Sequence, residues 1–571
     1  MTTKKGFSLV EVLLATSIFA LIVTALVGAW LYGQEATALA GKRARANHLV
    51  QEGLDASRNI RDDAFSNLAD GTYGLVLSGG VWTLSGASDT VGEFTRTVSV
   101  ATVDVDTKSI TATVTWQQNA QRTGTATSVS YLADWQATKV GTGSGKGGLL
   151  VYADLSGADD VVRYKQFVGG TGLWGSELTV PEIGVPRDRD TRRVEVYASP
   201  TRTEAVLITK HVQAGPGDDT YIYGQVWDGT TWADLQLMSS WAGQDQPSAR
   251  DFDGAYLDNG DFMLVYEDDT NTPKYRTWDG VSWSSESSTV DVGGNPAWIV
   301  VRQRPGTDQV MMAVKDQVSD TNTSFWNGAT WGAVTEHATD SSADTIETLA
   351  FEWSPNATNL GALTFNDQND EPLPNVQIYN SSTSTWGTNV ENASVTSNVR
   401  AAVLAARSNA TEWIGCFNDN NADINCLETD ATPSWTSPTE IATATTGNQH
   451  THTIAYEQVT SDLALSVYAE GPGAVAEQIP KWRTYDPSTN IWSGQNSLAT
   501  LGAALEVSQV VPDPSGDDML ILMGDTSQDL WTIVWDGSVD AFYTTGGLAQ
   551  TEHGTSGSND IDQWFDFAWE L

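Results

Sequence analysis

Glu11 is the one charged side chain in a run of apolar residues, FSLVEVLLATSIFALIVTALVGAWLYG, that extends from residue 7 to residue 33. A carboxylate in an oily helix costs free energy unless a cation meets it, so its placement calls for a partner amine. Elsewhere, chemistry-bearing residues are sparse. Cys416 and Cys426 flank Phe-Asn-Asp-Asn-Asn-Ala-Asp-Ile-Asn, which reads as a hairpin loop. Outside the cytoplasm they can pair across it; the alternative is two core-facing thiols. No Cys/His zinc spacing and no Ser/His/Asp set with a recognisable elbow occurs, so no catalytic residue is assigned. Asp419, Asn421 and Asp423 alternate as calcium ligands do, but the glycine and distal glutamate of an EF-hand are missing. Asp and Asn are also ordinary turn residues. The expectation is therefore no metal and no other cofactor, with calcium at such a loop as the alternative. Arg193, Arg250, Arg400, His452 and Asp562 stand at the starts of comparable strands. Together they could form a polar ring that holds a small anion or glycan, or simply solvate a wet channel. His450 and His452 alternate along one strand but lack a third metal ligand.

The apolar run of 27 residues makes a helix about 40 Å long, enough to cross a bilayer. Lys4 and Lys5 precede it and belong on the cytoplasmic side, which sends the remainder outside. A secretory signal peptide has a shorter apolar core, with its cleavage site after it. Here the Gly6–Phe7 junction lies before the core. The formal net charge of −42 resides entirely in residues 149–571, because 1–148 carry equal numbers of basic and acidic side chains. A surface this acidic repels phosphate backbones, which argues against nucleic acid as a ligand.

The segment Lys4-Lys5-Gly6-Phe7-Ser8-Leu9-Val10-Glu11 resembles the N-terminus of type IV prepilins and of the pseudopilins of type II secretion. The resemblance covers roughly residues 1–135 and implies cleavage after Gly6 by a prepilin peptidase, followed by N-methylation of Phe7. It also implies insertion in the bacterial inner membrane before assembly with other pilin subunits through the helix. In a filament core the Glu11 carboxylate would then pair with the amine of a neighbour's Phe7, each charge offsetting the other's desolvation.

Residues 34–68 continue the helix, with Leu39, Leu49, Val50, Leu54, Ile60, Ala64 and Leu68 on a rough apolar face. Segments 75–77, 81–84, 94–103, 109–116 and 126–134 alternate as strands do, with a turn at 104–107. One long helix against a small antiparallel sheet is the arrangement of a pilin head. The stretch GTGSGKGG at 141–148 lacks the GxxxxGK[ST] order of a phosphate loop and reads as a flexible linker. Beyond it the chain repeats. Trp174, Trp232, Trp283, Trp331, Trp386, Trp435 and Trp492 fall at intervals of 58, 51, 48, 55, 49 and 57 residues. A period near 50 in a strand-rich chain marks propeller blades of the kelch size class. The segment 485–492 resembles the tyrosine-to-tryptophan part of a kelch repeat, although the double glycine of that family is absent from most units. The repeated tryptophans read as packing between blades, with exposed sugar contacts as the alternative. Eight strand-plus-hairpin units can be counted, with the last strand, 563–570, closing the ring against the blade that starts at 149. Seven blades would result if the unit at 412–435 were irregular.

The expected fold class is an α+β pilin-like head with a long N-terminal transmembrane helix, followed by an all-β propeller closed by its C-terminal strand. The expected domains are a leader (1–6), the membrane and assembly helix (7–33), the head (34–136), the linker (137–148) and the propeller (149–571). The function expected is that of a minor type IV pilin or pilin-like filament subunit. It is not an enzyme, and it displays the propeller at a filament tip for adhesion to a surface, protein or glycan ligand. The alternatives are a pseudopilin of a type II secretion system and a membrane-tethered, glycan-acting propeller enzyme.

Overall fold

The computed structural model describes residues 8–63, 65–79, 81–102, 107–119, 121–133, 146–154, 160–169, 172–181, 189–213, 219–242, 250–342, 347–367, 371–445, 451–459, 462–471, 477–544, 548–555 and 563–569. The expected turn at 104–107 falls mostly outside these residues, as does most of the linker. The chain divides into two compact units, Met1–Lys139 and Val140–Leu571.

In the first unit a single helix runs from Leu9 to Asp63, continuous as expected but ending short of residue 68, with a separate 3-10 turn at Phe65–Asn67. From Leu9 to Gln34 the helix is exposed. Its second half buries Ala46, Leu49, Val50, Leu54, Ala56 and Ile60 against a sheet built from Gly71–Ser78, Val81–Ser85, Asp89–Val91, Phe94–Thr102, Thr107–Asn119 and Arg122–Ala133. Helix and sheet meet closely at Gly53, where an added Cβ would lie 3.2 Å from that of Ala112. Buried Arg96 crosses this interface, 2.9 Å from Asp89 on the sheet and 3.2 Å from Glu52 on the helix.

Among its described residues the second unit holds eight antiparallel sheets of four or five strands. The lead strands of the second to eighth sheets are Arg189–Ala198, Phe252–Tyr256, Pro296–Gln303, Ala350–Trp353, Val399–Ala406, His452–Tyr456 and Leu505–Pro512. The corresponding strand of the first sheet is the C-terminal one, Phe565–Trp569, which pairs with Gly148–Asp154. The segment 412–435, where irregularity was weighed, forms two regular strands, Glu412–Asp419 and Ile424–Asp430, in register.

Seven of the eight sheets carry a cross-strand aromatic pair at the outer turn: Phe167–Trp174, Trp227–Trp232, Trp278–Trp283, Trp326–Trp331, Tyr379–Trp386, Tyr485–Trp492 and Trp535–Phe542; in the sixth, Phe417 of the second strand packs instead on Trp435 in the loop after the third. Their ring centroids are 5.0 to 5.6 Å apart. Tilted contacts at this distance contribute beyond simple burial, which accounts for the repeated tryptophans as packing residues. The turns between the paired rings recruit Asp or Asn. Asp228 accepts the amides of Thr230 and Thr231, and Asp279 those of Val281 and Ser282. These bonds to the charged form hold the Asp228 carboxyl down at about 2. Part of the acidity of this unit is thus turn chemistry.

The eight sheets alternate. In the second, fourth, sixth and eighth, the lead strand carries a bulge at Arg192, Ala297, Arg400 or Glu506; the odd-numbered sheets pair without one. Within successive couples a backbone bond joins the lead strands: Val194 N to Gln563 O at 2.9 Å, Ile299 N to Arg250 O at 2.8 Å, and Ala402 N to Glu347 O at 3.0 Å. The structural repeat is therefore a couple of sheets, twice the period visible in the tryptophans.

Candidate functional site

The N-terminal segment is the first candidate. Glu11 lies in the first turn of the helix, where its Oε2 accepts the Ser8 amide at 2.9 Å. That bond satisfies one of the four free amides at a helix start. Glu11 and the apolar side chains that follow are exposed, including Leu14, Phe19, Leu21 and Trp30. This helix is long and apolar enough to cross a membrane. Gly6 and Phe7 lie outside the described residues.

The lead strands of the second unit form the second candidate. A cavity of about 490 Å³ is lined by residues leading into or within the lead strands of seven of the eight sheets. Arg250, Glu347 and Gln563 hold the same register position in three couples and all line it, with Arg250 3.4 Å from Glu347. The fourth equivalent, His450, lies outside the described residues, as does Asp562.

The four described members of the expected ring, Arg193, Arg250, Arg400 and His452, occupy different registers, because the bulges and the coupling of sheets displace them. Arg250 and His452 line the cavity. Burial holds His452 down to about 4, so its imidazole is neutral, with Nε2 3.3 Å from the Cys416 carbonyl. That carbonyl can only accept, which assigns the proton to Nε2. Arg193 is buried over the Phe252 ring at 4.5 Å and pairs with Glu195. Arg400 is a bulge residue and donates to Asn420 Oδ1 at 2.8 Å.

Sequence reasoning missed a network that reaches the cavity wall at Arg302, Glu352 and Gln509. Tyr197 bonds both Glu195 and Asp253, Asp253 accepts Arg302 at 2.8 Å, and Arg302 also donates to Glu352 at 2.7 Å. Asp566 accepts the Val196 amide at 2.9 Å on one side and the Gln509 amide group at 2.8 Å on the other. Trp569 Nε1 adds a bond to the Val511 carbonyl at 2.9 Å. The C-terminal strand is thereby held between the second and the eighth sheets. Asp253 makes the same reach to the Val301 amide at 2.8 Å. A signal for this existed, since Phe252-Asp253 and Phe565-Asp566 repeat the same dipeptide at one register position.

Cys416 and Cys426 face each other in adjacent strands and are disulfide-bonded. The Asp419 carboxylate is occupied by its own turn, accepting the Asn421 and Asp423 amides at 2.9 and 3.1 Å, the Ser397 amide at 2.9 Å and the Thr396 hydroxyl. Asp367, Glu371 and Glu391 bring one carboxylate oxygen each within 4.8 Å of the others, a set that could hold a hard cation.

The N-terminal observations agree with a comparison against known families. Residues 1–27 match the prokaryotic N-terminal methylation motif. That motif implies a membrane-anchored precursor, processing by a prepilin peptidase and assembly with other pilins. No curated protein matches the chain. Among solved structures, the BP39L lectin from Burkholderia pseudomallei is 12% identical, with 64% of this chain and 99% of the lectin covered and a TM-score of 0.44. The dihydro-heme d1 dehydrogenase NirN is also 12% identical, with 72% and 74% covered and a TM-score of 0.43. A polysaccharide lyase acting on ulvan is 9% identical, with 61% and 91% covered and a TM-score of 0.37.

Proposed function

We propose that this chain is a minor type IV pilin or pilin-like filament subunit that presents a closed, acidic, eight-bladed propeller at a filament tip, where it adheres to a surface or polymer. The observation that carries the reading is a continuous helix, exposed and apolar from Leu9 to Gly33 except for Glu11, that ends packed on a small sheet. An exposed apolar face of this length needs lipid before assembly and neighbouring helices after it. Cleavage after Gly6 would create the amine at Phe7 that Glu11 of an adjoining subunit needs. The size of the second unit supports a tip position, since more than 400 residues per subunit would crowd a filament shaft. The hold of Asp566 and Trp569 on both neighbouring sheets supports closure, which removes sheet edges that would otherwise pair with other chains. The propeller acts by binding and not by catalysis.

Glu11→Ala tests the assembly step. Removing one partner of a buried ion pair leaves the other charge uncompensated, at a cost of about 3–5 kcal/mol. The variant should reach the membrane fraction at wild-type levels and fall at least tenfold in the filament fraction. Equal incorporation would reject the reading. Immunogold labelling of the second unit should mark filament ends, and uniform labelling along the shaft would reject the tip position.

A further inference from the structure

Three of the even-numbered sheets repeat one acidic turn, and its chemistry is completed in two of them. In the fourth, sixth and eighth sheets an aspartate ends the second strand and accepts two amides of its own turn through Oδ1. Asp316 takes those of Val318 and Asp320 at 3.1 and 2.8 Å; Asp419 takes those of Asn421 and Asp423; Asp525 takes those of Ser527 and Asp529 at 2.9 and 3.2 Å. A second aspartate follows four residues later each time, as Asp320, Asp423 and Asp529.

The other oxygen distinguishes the three. Asp419 Oδ2 accepts the Thr396 hydroxyl, which also reaches Asp423 Oδ2 at 2.8 Å. Asp525 Oδ2 accepts the Trp531 indole at 3.2 Å and the Ala503 amide at 3.0 Å. Asp316 is fully buried, and its Oδ2 has no hydrogen-bond partner. The side chain matching Trp531, Asn322, turns its amide to the Val292 carbonyl at 2.8 Å. The residue matching Thr396 is Gly293, at φ +100°. A Cβ placed on Gly293 would lie 3.6 Å from Asp320 Oδ2 and 3.8 Å from Asp316 Oδ2, with no other contact inside 4 Å. Two carboxylate oxygens thus converge on the space that a threonine hydroxyl fills in the sixth sheet. Burial, and then the charge of Asp320, push the Asp316 carboxyl up to about 6, partly offset by the amides of Asp320, Val318 and Gly294. The Gly294 amide lies near enough to act as a dipole but not in bonding geometry.

We propose that Asp316 and Asp320 bind a calcium ion, which takes the place that the Thr396 hydroxyl occupies between Asp419 and Asp423. An all-oxygen set with two carboxylates suits a hard cation whose remaining ligands are water. So few protein ligands place the affinity with that of extracellular modules, at a Kd of about 10⁻⁴ to 10⁻³ M.

The test counts bound calcium on the full-length chain in detergent micelles, by equilibrium dialysis with radioactive calcium after chelator treatment. Asp320→Asn should bind one ion fewer than the wild type. Asp320→Ser, a second way of removing the same carboxylate, should lose the same ion. Reading each variant as a difference keeps the result independent of any ion held at Asp367, Glu371 and Glu391. An unchanged count in whichever of the two variants keeps the wild-type circular dichroism spectrum would overturn the proposal and leave Asp316 and Asp320 as carboxyls sharing a proton.

Discussion

Asp566 is buried between two neighbouring sheets, and its carboxyl is pushed from the ordinary 3.8 up to about 7 by burial first and by the charge of Glu195 second. Hydrogen bonds from the Val196 amide, Gln509 and the Phe567 amide work against that rise without cancelling it. The unfolded chain gives up this proton above about pH 4, whereas the folded chain keeps it until about pH 7. A raised carboxyl therefore stabilises the fold at low pH, and the contribution fades as pH rises through that window. At about 1.4 kcal/mol per pH unit, the loss between pH 5 and pH 8 is on the order of 3 kcal/mol. His452 has the opposite sign. Burial holds it at about 4, so its contribution is complete above about pH 6.5 and fades as pH falls. The histidine term hides the aspartate in wild-type data but cancels when wild type is compared with Asp566→Asn. Urea unfolding followed by tryptophan fluorescence at the two pH values should show Asp566→Asn gaining about 3 kcal/mol on the wild type from pH 5 to pH 8. A gain under 1 kcal/mol, or one in favour of the wild type, would refute the assignment of Asp566 as a protonated strut.

Two further substitutions probe the same belt. Trp569 is 4% exposed and packs edge-on to Phe167 and Phe567; Trp569→Ala should cost about 3–5 kcal/mol in the same unfolding assay, and a loss under 1 kcal/mol would mean that the C-terminal strand does not close the unit. Arg302→Met leaves Asp253 and Glu352 without their shared cation; with the Arg302 side chain 38% exposed, it should cost about 1–2 kcal/mol near neutral pH and less at pH 4, where Glu352, whose carboxyl burial pushes up, takes up a proton, whereas an equal loss at both would show that packing rather than charge is what Arg302 supplies.

Much of the architecture could be read from residue order alone. The recurring tryptophan hairpins, several with Asp-Gly or Asn-Gly turns, located the lead strands of the second unit, and the lone Glu11 in an apolar run marked the segment that matches the methylation motif. The coupling of sheets could not be read, because it resides in single-residue bulges at Arg192, Ala297, Arg400 and Glu506, which share no residue type across all four. The same bulges explain why the expected polar ring is spread over different positions. A one-residue slip moves a side chain to the other face of a strand, so Arg193 and Arg400 leave the cavity wall while Gln563 joins Arg250 and Glu347 on it. The cross-sheet bonds of Asp253 and Asp566 depend on contacts between lead strands distant in sequence; the repeated Phe-Asp dipeptide marks those two strands but not the partners they reach.

In the proposed function, Glu11 is tolerated in its helix because a new amine on an adjoining subunit neutralises it. Intact-mass and N-terminal peptide analysis of protein recovered from filaments tests this most directly. The chain should begin at Phe7 and carry a methyl group on that nitrogen; filament protein that still begins at Met1 would contradict it.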